Sequence, residues 1–160
     1  TVVVGKQELN TPMCFTEGWN IHRNTFDANV LVNKSLISGT TLVFADVKST
    51  NASGAGLTYN GAFTTALNAE MMALHTTVAN TPVNAYYYEV GGETVSWYDT
   101  KIAGISAIYA QKDPASGATG SAFAVSGSTK VAGLNLFAAY SSVSDDGQNF
   151  TNYADRKSVV

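Results

Sequence analysis

Charge is what this sequence has least of. Only 13% of its 160 residues are Asp, Glu, Lys or Arg, about half the usual share, while 45% are hydrophobic. So sparse a set excludes a conventional soluble surface solvated by Lys and Glu. Gly, Ala, Ser, Thr and Asn fill much of the remainder. That mixture suits a secreted fibre or an outer-membrane β-barrel, where one side of each strand faces something other than bulk water. A net charge of −3 excludes the basic excess of nucleic-acid binders, so no nucleic-acid partner is expected.

The scarcity extends to chemistry-bearing side chains. A single cysteine, Cys14, rules out an intramolecular disulfide framework, and it reads as a small, partly buried residue rather than a reactive thiol. No run approaches the roughly 18 continuous apolar residues of a membrane-spanning helix. The two histidines, His22 and His75, stand in separate regions, neither at metal-ligand spacing from Cys or acidic residues. No nucleophile elbow or phosphate loop occurs, and the glycines of "SGAGLTYNG" lack the strand-to-helix context of a nucleotide site. The acidic "SDDG" after Val143 reads as a plain turn rather than a calcium site. The sequons at Asn33, Asn51 and Asn149 carry little weight in so Ser/Thr-rich a chain. No enzyme, metal or cofactor is expected.

What is present is alternation. In "FDANVLVN", Phe26, Ala28, Val30 and Val32 point one way, and Asp27, Asn29, Leu31 and Asn33 the other. "TTLVFADVK" follows after a turn at residues 34–39. Residues 49–82 read as a long loop in which "TTALNAEMMALHTT" has helical spacing at Leu67, Met71 and Leu74, predicting a short helix. From Val83 strands return: "NAYYYEV" and "TVSWYDT" flank Gly91-Gly92, a hairpin signal. "IAGISAIYAQK" ends at the turn cluster "DPASGATG", and "SAFAVSGST" and "GLNLFAAYSSV" pair around residues 130–133. The reading is a single all-β domain over residues 1–160, with eight or nine antiparallel strands in up-and-down order. Short turns alternate with longer loops, as in outer-membrane barrels, and Tyr86, Tyr87, Tyr88, Trp97, Tyr98, Tyr109 and Tyr140 are candidates for interfacial girdles. The chain opens directly into "TVVVGKQ", and both of its ends are expected to be strands cut from something longer.

One interruption stands out: between the strand "TVVVGKQ" and Phe26 lie about seventeen irregular residues. "GKQELNTP" followed by "IHRNTFDANVLVNKSLISGTTLVFADV" resembles the OprD-type outer-membrane porins and the related major porins of campylobacter-like bacteria. The shared elements are Gly5 to Gln7, Leu9 to Pro12, Arg23 to Phe26 and Thr40 to Val43. A weaker echo lies in "AFAVSGSTKVAGLNLFAAYSSVSDDG". The resemblance implies a transmembrane β-barrel of about 16 to 18 strands, of which this chain is a fragment. It also implies passive diffusion of small hydrophilic solutes and ions across the outer membrane of a Gram-negative bacterium, with outer-membrane lipid around the barrel and a homotrimer as the expected assembly.

Under that resemblance residues 8–24 fold into the lumen as a constriction. Arg23, Glu17, His22 and Lys6 are then the expected pore-constriction residues, with Trp19 anchoring the loop. Asp27, Asn29 and Asn33 are expected to face the lumen. Fixed charge at a narrow point is what sets pore selectivity. A different class competes: a secreted or surface β-protein, such as a fibre subunit or adhesin, polymerising through open strand edges.

Overall fold

The computed structural model describes residues 1–16, 25–50 and 69–144. Nine strands occupy them: β1 (Val2–Gln7), β2 (Phe26–Asn33), β3 (Thr40–Thr50), β4 (Ala69–Val78), β5 (Thr81–Val90), β6 (Glu93–Ile102), β7 (Ile105–Asp113), β8 (Gly120–Val131) and β9 (Leu134–Val143). They form one sheet in sequence order, each antiparallel to the next, and no helix occurs among the described residues. The up-and-down order expected from alternation is the order found.

Residues 69–78 correct the expectation of a helix. Ala69, Met71 and Ala73 are buried while Glu70 and Met72 are exposed, which is the period of two of a half-buried strand. The helical spacing of Met71 and Leu74 is outweighed by pairing on both sides, to β3 and to β5, which satisfies the backbone of this segment. Ser49 and Thr50 complete β3, and Thr81 and Pro82 open β5. The remainder of the expected loop, residues 51–68 with Leu67, lies outside the described residues.

Four two-residue turns fix the register: Ala79-Asn80, Gly91-Gly92, Ala103-Gly104 and Ala132-Gly133. Both central residues have positive φ in all four. That is the type I′ geometry, whose twist matches the right-handed twist of the strands it joins. Alanine is a poor residue for it, because its Cβ crowds the following carbonyl in the left-handed region. The turns at 34–39, 79–80, 103–104 and 132–133 share one end of the sheet. Segments 8–25 and 51–68 leave from the other, together with Gly91-Gly92 and residues 114–119.

The two faces differ. One carries Phe26, Ala28, Val30, Ala45, Val47, Ala69, Met71, Tyr88, Val95, Trp97 and Ala110, which cluster with Leu9, Met13 and Cys14. We call it the covered face. The open face carries Val2, Val4, Leu31, Phe44, Met72, Tyr98, Tyr109, Phe123, Val125, Leu136 and Tyr140, all exposed. A bulge at Asp27/Ala28 places Lys48 as the extra residue of β3.

Substituting Asn for Ala103 removes an unfavourable left-handed alanine and is expected to stabilise the fold by about 0.5–1 kcal/mol. The denaturant midpoint of the refolded protein in detergent measures it, and an unchanged or lower midpoint contradicts the turn assignment.

Candidate functional site

Segment 8–16 builds the site. After β1 the chain turns onto the covered face, and Leu9, Met13 and Cys14 are buried against β2–β6. The segment closes on itself through an isolated bridge between Asn10 and Phe15. Thr16 N donates to Leu9 O at 2.8 Å and Thr11 N to Cys14 O at 2.8 Å. The Thr11 hydroxyl adds a contact to Cys14 O at 3.0 Å and accepts from Cys14 N at 3.1 Å. A wall residue holds the segment down: Met13 N donates to the Tyr88 hydroxyl at 3.4 Å, and Tyr88 is only 2% exposed. Apolar burial supplies the attraction and the hydroxyl satisfies a backbone donor that burial would otherwise strand.

Cys14 follows from this packing. Burial pushes its thiol up to about 12, against a smaller opposing effect of the Thr11 hydrogen bond. It is therefore a small apolar residue of the interface, as its sequence context suggested.

Most of the expected constriction residues fall outside what the structure describes. Glu17, Trp19, His22 and Arg23 lie outside the described residues. Lys6 stands opposite Asp27, and both share the open face with Val4 and Leu31. Asn29 and Asn33 lie there too, because they alternate with Phe26, Ala28 and Val30, whose side chains are taken by the covered face. Asn29 Nδ2 donates to Asp46 Oδ2 at 3.4 Å. Asn33 closes the following turn, its Oδ1 accepting from Ser35 N at 3.0 Å and Leu36 N at 2.8 Å. The structure therefore places Asp27, Asn29 and Asn33 on the face opposite the one that segment 8–16 covers.

Instead it assembles polar groups that the sequence did not single out. On the covered face His75, Asn84 and Asp99 stand directly opposite one another on β4, β5 and β6. His75 Nδ1 lies 2.9 Å from Asn84 Oδ1. Asn84 Nδ2 donates to Asp99 Oδ1 at 2.7 Å, and Trp97 Nε1 donates to Asp99 Oδ2 at 3.1 Å. The Tyr86 ring meets His75 edge-on, with centroids 5.3 Å apart. Reading 69–78 as a helix hid this rung; the buried Ala69-Met71-Ala73 alternation would have exposed it. Further along the same face Lys112 pairs with Glu93 at 2.9 Å. Among the described residues no group of three or more His, Cys, Asp or Glu is placed to hold a metal ion.

The open face is graded along the strands. Asp46, Glu70 and Glu89 form a level row across β3–β5 at the end from which segments 8–25 and 51–68 leave. Two residues inward, Phe44, Met72 and Tyr87 form the next row. Tyr98, Tyr109 and Phe123 form a separate row across β6–β8, level with Ala85 and so two residues further in than Tyr87. Tyr98 and Tyr109 stack at 6.4 Å, and Phe123 meets Tyr140 at 5.6 Å.

The described residues form an all-antiparallel, up-and-down sheet of nine strands with a segment folded onto one face, and this is the fold of part of a porin-type barrel wall. The solved structure it matches is Pseudomonas aeruginosa OccK11 (OpdR), of OprD-type fold, with a TM-score of 0.65 and 13% identity. The match covers 91% of this chain and 45% of that one, so the chain spans under half the length of its structural neighbour. No protein-family model matches the sequence, and no curated protein matches it. The likeness is one of fold, and it bears on the OprD type rather than on the porins of campylobacter-like bacteria.

The packing of segment 8–16 has a measurable consequence. At pH 8 a thiol titrating near 12 holds about a thousandfold less thiolate than a free cysteine, so Cys14 is expected to resist a water-soluble maleimide in the folded protein. Tyr88→Phe removes the hydroxyl that accepts from Met13 N and is expected to speed labelling by about tenfold. Equal rates in the two proteins contradict the anchoring role of Tyr88.

Proposed function

We propose that this chain forms part of the wall of an outer-membrane porin in a Gram-negative bacterium. The covered face is the lumen side and the open face meets lipid. The observation that carries the reading is the open face itself: exposed apolar side chains on successive strands, with Phe44, Met72 and Tyr87 and then carboxylates towards one end of β3–β5. Water gives such a face no stabilisation, whereas a bilayer does, with rings at the level of the headgroups. Strand length agrees. β3–β9 run from 9 to 12 residues, and a membrane-spanning strand tilted by about 45° needs about 9–11. On this assignment Lys6, Asp27, Asn29 and Asn33 belong to the outer side, and segment 8–16 narrows the lumen. The carboxylate row lies where headgroups give way to water.

Lipid cannot satisfy the backbone of an open edge. On this reading β1 and β9, each paired on one side only among the described strands, take further strands to complete a closed barrel. No chemical step is required of such a wall, and passage of small hydrophilic solutes and ions by diffusion is the activity proposed.

Planar-bilayer recording of the intact polypeptide carrying this chain, purified in detergent, tests the reading. Stepwise, persistent conductance increments are the expected result. Absence of channels, with assembly into water-soluble polymers through the strand edges, contradicts it and supports the surface-fibre alternative.

A further inference from the structure

The rung His75–Asn84–Asp99 has a direction. At neutral pH a carboxylate only accepts hydrogen bonds, so Asp99 fixes the amide of Asn84 with Nδ2 towards it and Oδ1 away, as found at 2.7 Å. Oδ1 in turn only accepts, so the 2.9 Å contact to His75 Nδ1 requires a proton on Nδ1. That leaves Nε2 as the ring atom that gains or loses a proton. The rung thus relays the orientation of one charged group to a titratable one across three strands, a span of about 10 Å. Trp97 from beside Asp99 and Tyr86 against the imidazole hold its two ends. All three members are only partly buried, so they present charge to whatever fills the covered side.

The rung's cross-strand neighbours add no charge of their own. The rung ends at Thr41 on β3 and Ile108 on β7, neither of them ionisable. Of the charged and titratable groups sharing this face, Tyr86 lies beside the rung on β5 and Lys101 two residues beyond Asp99 on β6. Glu93 and Lys112 are spent on each other at 2.9 Å, and Lys130 stands further off on β8. Segment 8–16 contributes Glu8 as its charged residue.

We propose that this rung is an ion-selectivity element of the channel wall, with Asp99 as a fixed negative charge and His75 as its pH-dependent counterpart. The inference rests on the lumen assignment above. With His75 neutral the rung carries one negative charge and favours cations. With Nε2 protonated it carries opposite charges on β4 and β6, and the preference for cations is reduced. Asn84 is a positioning residue between them.

Reversal potentials of the intact polypeptide in a potassium chloride gradient, at pH 8 and pH 5, test this. In the native protein the cation-to-anion permeability ratio is expected to fall by about twofold between pH 8 and pH 5. Asp99→Asn is expected to lower the ratio at pH 8 by a similar factor. His75→Gln is expected to keep the pH 8 value and lose most of the pH response. A native channel whose ratio does not change with pH overturns the proposal without any variant. So does a His75→Gln channel that responds as the native one does, or an Asp99→Asn channel unchanged at pH 8. Channels whose selectivity ignores the rung overturn this inference alone, whereas the absence of channels overturns the porin reading with it.

Discussion

Backbone pairing is the constraint on which the rest of this structure depends. Each interior strand gives its N–H and C=O groups to a neighbour on both sides, through eight antiparallel ladders between β1 and β9. A continuous ladder needs turns whose twist agrees with it, and the sequence supplies four with both central residues at positive φ. Three of them accept an alanine where glycine or asparagine would be cheaper, so ladder continuity outweighs local preference there. With register fixed, every residue is assigned to a face, since a slip of one residue would exchange the faces throughout.

Given two faces, their contents do different things. The covered face combines small residues such as Ala28, Ala45, Ala69 and Ala110 with large ones such as Met71, Tyr88 and Trp97. Small wall residues make room for segment 8–16, and Tyr88 meets its backbone. Towards the other end of β4–β6 the same face turns polar at His75, Asn84 and Asp99. The open face has no covering among the described residues, and its polar contacts, such as Asn29 with Asp46 and Gln111 with Asp113, stand among exposed apolar side chains. Its side chains make sense against an apolar phase, and the proposed membrane reading rests on that, while the likeness at 13% identity bears on fold alone.

Much of the sheet was legible in the sequence, because period-two alternation and Gly-Gly or Gly-containing turns are local signals. β2, β5, β6, β8 and β9 fall where alternation placed them. β4 was hidden because Met71 and Leu74 also satisfy a helical period, and only pairing with β3 and β5 decides between the two. The site was less legible. Asp27, Asn29 and Asn33 were expected in the lumen from the resemblance, and the structure shows only that they share the face opposite Phe26, Ala28 and Val30. Membership of a face depends on what lies against it, which alternation alone does not say. The rung on β4–β6 joins residues 9 and 15 positions apart, and only register brings them together.

Which phase each face meets is the central claim, and paramagnetic accessibility at single nitroxide labels tests it most directly. In a Cys14→Ala background, labels at Phe123, Val125, Leu136 and Tyr140 report the open face, and labels at Ala124, Ser126, Asn135 and Ser141 the covered one. The account predicts high accessibility to oxygen, which concentrates in lipid, at the first set in reconstituted bilayers. The second set is predicted to be accessible to a water-soluble nickel complex. Equal access of the nickel complex to both sets would contradict it, since a sheet bathed in water on both faces behaves that way.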